Sequence, residues 1–432
     1  METIYQNCYR ETLVNGMDLL LEQMPYAHSV SLGVWLRTGS RDEPKRRNGI
    51  THFIEHMLFK GTHKRTAFQI SEEIDAIGGI INAVTAREYV CYYVDCLPHH
   101  LGVALDVLSD LVQNPRFLSA EIEREKGVVL EEIRMGKEDP KDEIFDLFAG
   151  HLWQNGHPLS IPVVGDEQMV KELTREELVH QFHRHYHPGN MVLAAAGNLD
   201  ERRFLELAEA RFGDLRRRGQ ADNEVDRTPP QSNGGFHLVG RRNAQQTHIC
   251  LGTKGIRHGD ERRFALGIMN TVLGGGMSSR LFKRIREETG LAYAVFSTIH
   301  HYSDTGLFLI YAGTDPDNVK QVIEISLEEI DRLKEQTISP ETLRLAKEKI
   351  KGNLLLGLES SHARMTRLGI AEVYEERPLE IDEWIVKIDE VDREAVHQVS
   401  EELFGSNHLT LTVITPRGKS HSDLSDLLAD RT

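Results

Sequence analysis

The stretch LTREELVHQFHRHYHPGNMVLAAAG, residues 173–197, reads as an acidic first turn, an amphipathic helix, a Gly/Asn turn and an apolar strand. The same order recurs in VDREAVHQVSEELFGSNHLTLTVIT, residues 391–415, at an offset of 218 taken from Thr174 to Asp392. The openings match as well. SVSLGVWLRTGSRDEPKRRNGITHFIEHM, starting at Ser29, parallels QTHICLGTKGIRHGDERRFALGIMNTVLG, starting at Gln246, at an offset of 217. Between the copies, LRRRGQADNEVDRTPPQSNGG is polar, charged and broken by Pro-Pro, as a linker is. The chain therefore reads as two tandem homologous α+β domains, residues 1–217 and 235–432, joined by a linker at 218–234. Each copy opens with strands, continues through helices and closes with a helix and a strand, which predicts an antiparallel-rich sheet packed with helices.

Bulk properties agree. At 432 residues the chain exceeds a single hydrophobic core. Its 40% hydrophobic and 27% charged residues are those of a globular protein. A formal charge of −16 argues against a nucleic-acid partner and suits a basic or neutral ligand. Cys8, Cys91, Cys96 and Cys250 are few and irregularly spaced, so they read as reduced structural residues. The first residues hold no basic segment followed by an apolar one, and no apolar run is long enough to span a bilayer. The expectation is a cytoplasmic protein with no membrane partner.

The first copy carries GITHFIEHMLFKGT, residues 49–62, in which His52 and His56 stand four apart with Glu55 before the second. On a helix, positions i and i+4 share a face one turn apart, so both imidazoles can reach one ion, with Glu55 beside them. The order H-x-x-E-H inverts the commoner H-E-x-x-H zinc box. At an offset of 217 the second copy places Met269, Val272 and Leu273 opposite His52, Glu55 and His56. Since the equivalent helix forms without them, these polar residues serve chemistry rather than the fold. Zinc asks for a third protein ligand. Downstream lies SAEIEREKGVVLEEIRMGKEDPKDEIFDLF, a helix-like segment whose Glu125 and Glu132 are seven apart and share a face; read alone, it is a solvated acidic surface.

HFIEHMLFKGT followed by EREKGVVLEEIRM resembles the pitrilysin-type zinc peptidases, closest to the processing-peptidase branch that includes mitochondrial processing peptidase and its bacterial homologues. GGIINAVTAREYVCYYV, GHPLSIPVVG, YHPGNMVLAAAG and GGGMSSRLFKRIREETGLAYAVFS extend the resemblance over nearly the whole chain. It implies one zinc ion per chain held by His52, His56 and Glu132, with Glu55 as the base that takes the proton of the attacking water. Glu131 would point about 100° away from Glu132 around the helix, and the spacing from His56 favours Glu132. Glu125 matches a family glutamate that orients a ligand histidine. Arg286 and Tyr293, seven apart in RIREETGLAYAVF, match an Arg and Tyr brought by the second domain to the substrate, with Tyr293 donating to the developing oxyanion. Read alone, they are a surface and a core residue.

The resemblance further implies that substrate adds as a strand beside Asn82 and Ala83, in what reads as a hairpin after Gly78-Gly79. Asp142, Glu143 and Asp146 resemble the acidic cluster by which processing peptidases hold an arginine near the cleavage point; a solvated charge run is the other reading. The implied assembly is half of a four-domain clamshell, completed as a homodimer around a chamber that admits unfolded peptides, or as a heterodimer with an inactive homologue. A non-catalytic structural or partner subunit of the same family is the rival, and the intact zinc set counts against it. His180, His183, His185 and His187 fall at a helix C-terminus, where the dipole favours them, and do not read as a second metal site. GGGMSSR, residues 274–280, lacks the Gly-Lys-Ser/Thr ending of a phosphate loop and reads as a connection.

Overall fold

The structure, a computed structural model, describes residues 1–44, 46–153, 156–216, 227–232, 234–374, 377–405, 409–419 and 422–429. Of the expected linker, residues 218–226 and 233 lie outside the described residues. The chain forms an α+β structure of two compact units, each assembled from three segments. Met1–Ile133, Pro162–Val225 and Leu355–Glu380 make the first; Arg134–Ile161, Asp226–Leu354 and Ile381–Thr432 make the second.

The first unit is built on β1 (Glu2–Tyr5), β2 (Cys8–Thr12), β3 (Asp18–Gln23), β4 (Val30–Leu36), β5 (Ile80–Thr85), β6 (Val90–Cys96) and β7 (Met191–Gly197). They form one seven-stranded sheet in the order β1-β2-β3-β7-β4-β6-β5. Only β3 and β7 run parallel; the other neighbours are antiparallel. The central strands read VSLGVWL and MVLAAAG and are buried throughout, as strands covered on both faces must be. On one face Leu32, Val34, Leu36, Leu193 and Ala195 meet Phe53 and Met57 of helix Ile50–Leu58 and Leu105 and Leu108 of helix Leu101–Gln113. On the other, Trp35, Val192, Ala194 and Ala196 meet Met365 and Leu368 of helix Ser361–Tyr374, which comes from the second half of the chain. A Cβ on Gly369 would fall 2.1 Å from the Trp35 ring, so only glycine lets the indole lie against this helix.

The second unit repeats the pattern with β8 (Gly235–Arg241), β9 (Thr247–Gly255), β10 (Ala292–His301), β11 (Gly306–Thr314) and β12 (Thr410–Pro416). Its sheet runs β8-β12-β9-β11-β10, the order of β3-β7-β4-β6-β5, and again the first pair alone is parallel. Helices Arg263–Leu273, Val319–Glu335 and Arg393–Gly405 cover one face through residues such as Met269, Ile323 and Val399. The other face, lined by Cys250, Leu309, Tyr311 and Ile414, is covered by Ile144, Phe148 and Leu152 of helix Pro140–Leu152, which comes from the first half. Each half of the chain thus supplies one helix to the unit built mainly from the other half. Met269, Val272 and Leu273, the counterparts of His52, Glu55 and His56, are all buried in the second core. Among the described residues no helix is long and apolar enough to cross a membrane.

Candidate metal centre

Helix Ile50–Leu58 enters its first turn through Gly49, whose φ of 89° is open to glycine and strained for other residues. A Cβ there would stand 2.7 Å from the Val164 carbonyl and 2.9 Å from Gly165 Cα. The side chain of buried Glu43 accepts from the Gly49 and Thr51 amides, both at 2.8 Å, placing an acid at the positive end of the helix. Burial pushes the Glu43 carboxyl up to about 8, against those two amide bonds. Phe53, Ile54 and Met57 point into the core, which leaves His52, Glu55 and His56 on the remaining face.

Helix Ser119–Glu138 lies across them. Ile122, Glu125, Val129 and Ile133 form its buried stripe, so Glu125 is carried inward while Glu132, one turn from the stripe's edge, stays 45% exposed. Glu132 places Oε1 3.6 Å from His52 Nε2 and Oε2 3.5 Å from His56 Nε2. One ligand atom from each of the three residues lies within 4.8 Å of the others, and among the described residues no other group of three or more such donors clusters in this way. Glu131 is not in that group.

The surroundings fix the donors. His56 Nδ1 is 2.9 Å from Glu125 Oε1, which leaves Nε2 for the centre. Glu125 Oε2 pairs with Lys60 Nζ at 2.7 Å. Burial works against the His56 cation, but the Glu125 bond and the charges of Glu132, Glu125 and Glu55 raise its pKa. Burial, with His56 beside it, lowers His52 to about 4, so His52 stands neutral and able to donate a lone pair. Glu125 is held below the carboxylate range: its burial is outweighed by bonds to His56 and Lys60. Two imidazole nitrogens and one carboxylate oxygen converging on one point are the donor set of an open zinc site. The residues fit that ion.

Glu55 stands on the same helix face with one oxygen, Oε2, accepting from the Thr85 hydroxyl at the end of β5. Burial raises its pKa, with the Thr85 bond opposing. Among the described residues β5 is the outermost strand of its sheet and pairs only with β6, so its second row of amides and carbonyls has no strand partner there. Asn82 and Ala83 lie in that edge strand, Asn82 exposed and Ala83 half-buried.

In the second unit, Arg286 and Tyr293 come together. The guanidinium lies 4.7 Å from the Tyr293 ring centroid and 4.9 Å from that of Phe282. Arg286 sits on a π-helical segment, Phe282–Glu288, and Tyr293 at a register shift in β10, where it is 79% exposed. The acidic trio lies along one helix in three different surroundings. Glu143 is buried and forks onto Arg241 of its own chain through two bonds, at 2.9 and 2.5 Å, so its carboxylate is already committed. Asp142 is exposed and Asp146 half-buried on the same helix. The histidine run ends helix Arg175–His185 as expected; His185 Nδ1 meets Thr38 Oγ1 at 3.1 Å, and burial lowers its pKa to about 3. All four cysteines are buried and unbridged.

Sequence reasoning missed Lys60, Thr85 and Glu43. Lys60 follows His56 by four residues, a spacing that signals a shared helix face but not a glutamate partner from another helix. Nothing in the sequence pairs Thr85 with Glu55.

Residues 18–167 match the family model described as Insulinase (Peptidase family M16), and residues 172–350 the one described as Peptidase M16 inactive domain. A Streptomyces coelicolor protein named as an uncharacterized zinc protease is 38% identical over 426 residues, covering 97% of this chain and 92% of its own. The uncharacterized zinc protease YmxG of Bacillus subtilis is 38% identical over 416 residues, covering 96% and 99%. Among solved structures, a protease from Helicobacter pylori matches with a TM-score of 0.89 at 21% identity, over 95% of this chain and 99% of that one. A peptidase M16 inactive domain from Pseudomonas fluorescens matches at 0.86 and 20%, over 96% and 100%. At such identities these two speak for the fold alone. With both family models matched along the chain and relatives of this closeness named zinc proteases, the chain belongs to peptidase family M16.

Proposed function

We propose that the chain is a zinc endopeptidase that cuts unstructured peptides, with Glu55 as its general base and one zinc ion held by His52, His56 and Glu132. The observation that carries the reading is the convergence of those three donors beside a carboxylate on the same helix and next to an open strand edge. Bound there, zinc would supply Lewis acidity that polarises a peptide carbonyl and acidifies water. The chain's own residues do the rest. A peptide pairing with β5 along Asn82 and Ala83 is read by main-chain hydrogen bonds, so extension counts for more than sequence. Glu55 takes a proton at its carboxylate and passes it to the departing amine; a carboxyl whose burial raises its proton affinity suits a group that must hold that proton between the two steps. Glu125 keeps His56 turned with Nε2 inward. Arg286, stacked on Tyr293, holds an exposed phenol that can donate to a developing oxyanion. The assembly we propose is a homodimer.

A second reading, a non-catalytic subunit, draws on the inactive-domain description of residues 172–350. The test is digestion of a pool of unstructured peptides by the purified chain, with and without a zinc chelator, alongside Glu55→Gln. Chelator-sensitive cleavage restored by zinc, and lost in a Glu55→Gln chain that still holds zinc, is the expected result. A zinc-loaded wild-type chain that cuts nothing would favour the subunit reading.

A further inference from the structure

β5 does two things within six residues. Its outward row, Ile80, Asn82 and Val84, is exposed at the sheet edge, and its inward row, Ile81, Ala83 and Thr85, is half-buried. At the end of the inward row Thr85 meets Glu55: its hydroxyl donates to Oε2. A glutamate side chain has several staggered rotamers, and a carboxylate fastened by one oxygen is confined to one of them while its second oxygen stays available. Thr85 is itself β-branched, so its χ1 is restricted and its hydroxyl is aimed rather than swinging.

The anchor point is rigid. The turn after β5 is tied to the loop that precedes the zinc-binding helix, by Ser40 N to Ala86 O at 3.1 Å and Arg41 N to Arg87 O at 2.8 Å. Arg41 and Glu88 form an ion pair at 2.6 Å with both side chains 1% exposed. The same loop supplies Glu43 to the amides of Gly49 and Thr51. Strand end and helix start are therefore fixed to one frame, and the Thr85–Glu55 bond closes it.

We propose that Thr85 is a positioning residue, whose hydroxyl sets the orientation of the Glu55 carboxylate so that the strand on which a peptide docks also aims the base. The inference rests on the reading of Glu55 as the general base.

Thr85→Val removes the hydroxyl at nearly constant shape, Thr85→Ser keeps it, and Thr85→Ala repeats the deletion should the valine disturb folding. The expected result is a kcat lowered about 10- to 100-fold in Thr85→Val, with KM, zinc content and melting temperature unchanged and with most of kcat recovered in Thr85→Ser. Wild-type kcat in both Thr85→Val and Thr85→Ala, beside an inactive Glu55→Gln, would overturn the proposal while leaving the peptidase reading intact. Should wild type cut nothing, the peptidase reading fails first, and crystal structures of the Thr85 variants decide the positioning role. A Glu55 carboxylate spread over several rotamers in Thr85→Val and single in Thr85→Ser upholds it; an unmoved carboxylate in both overturns it.

Discussion

Replacing Glu125 by alanine should weaken zinc binding and destabilise the first unit by two separable routes. The carboxylate is 2% exposed and serves two partners, His56 Nδ1 at 2.9 Å and Lys60 Nζ at 2.7 Å. Losing the partner of a ligand histidine lowers metal affinity about 10- to 100-fold, which is about 1.4 to 2.8 kcal/mol at 25 °C. Losing one member of a buried ion pair costs about 3–5 kcal/mol when the orphan stays dry. The Lys60 side chain is 31% exposed, so water can take over part of the ammonium's solvation, and a stability loss of about 1–3 kcal/mol follows. Zinc affinity is read by competition with a chromophoric chelator, and stability of the apo chain by urea unfolding. Adding Lys60→Met to Glu125→Ala removes the orphaned charge and should recover stability without recovering zinc affinity. Zinc held as tightly by Glu125→Ala as by wild type would refute the reasoning, and so would affinity restored by Lys60→Met.

Gly49→Ala should lower stability by about 1–3 kcal/mol through its left-handed backbone and the crowding at Val164 and Gly165; an unfolding curve matching wild type would contradict this. His151 and His237 stack at 3.9 Å in the second unit, and burial lowers both, His151 to about 4 with His237 adding to the effect. Below about 6.5 the unfolded chain takes up protons that these rings refuse, so stability present above that pH is lost as pH falls towards 4. Urea titrations at several pH values should show that slope, and it should flatten in a His151→Asn, His237→Asn chain. Glu143→Gln should leave any preference for arginine near the cut unchanged, because Arg241 already occupies that carboxylate; a preference lost in Glu143→Gln but kept in Asp142→Asn and Asp146→Asn would return Glu143 to the substrate.

The duplication was legible because each copy repeats the same succession of periodicities, and the strand order of the second sheet repeats that of the first. The clustering of His52, Glu55 and His56 on one helix was legible for a different reason. The i, i+4 histidines interrupt an apolar face that the second copy keeps as Met269, Val272 and Leu273, all buried. What could not be read were partners joined only by tertiary structure. Lys60 meets Glu125, Thr85 meets Glu55 and Arg241 meets Glu143 across spacings that no helical or strand period encodes. The sequence does not set Glu143 apart from its neighbours Asp142 and Asp146, although its side of the helix is the buried one. Nor does an amphipathic helix say which sheet it will cover, so the exchange of Pro140–Leu152 and Ser361–Tyr374 between the halves of the chain left no trace in the pattern.

That exchange has a consequence for the chain as it is made. The sheet of the first unit is complete once β7 ends at Gly197, yet the helix that covers Trp35, Val192 and Ala194 ends at Tyr374, 177 residues later. At about 5–20 residues per second, translation takes on the order of 10–35 s to supply it. Over that interval a nascent chain holds one finished helical layer and one open apolar sheet face, while Ile144, Phe148 and Leu152 wait for a sheet not yet synthesised. The first half thus emerges with that face uncovered, and its burial is timed by the arrival of residues 361–374 rather than by its own length.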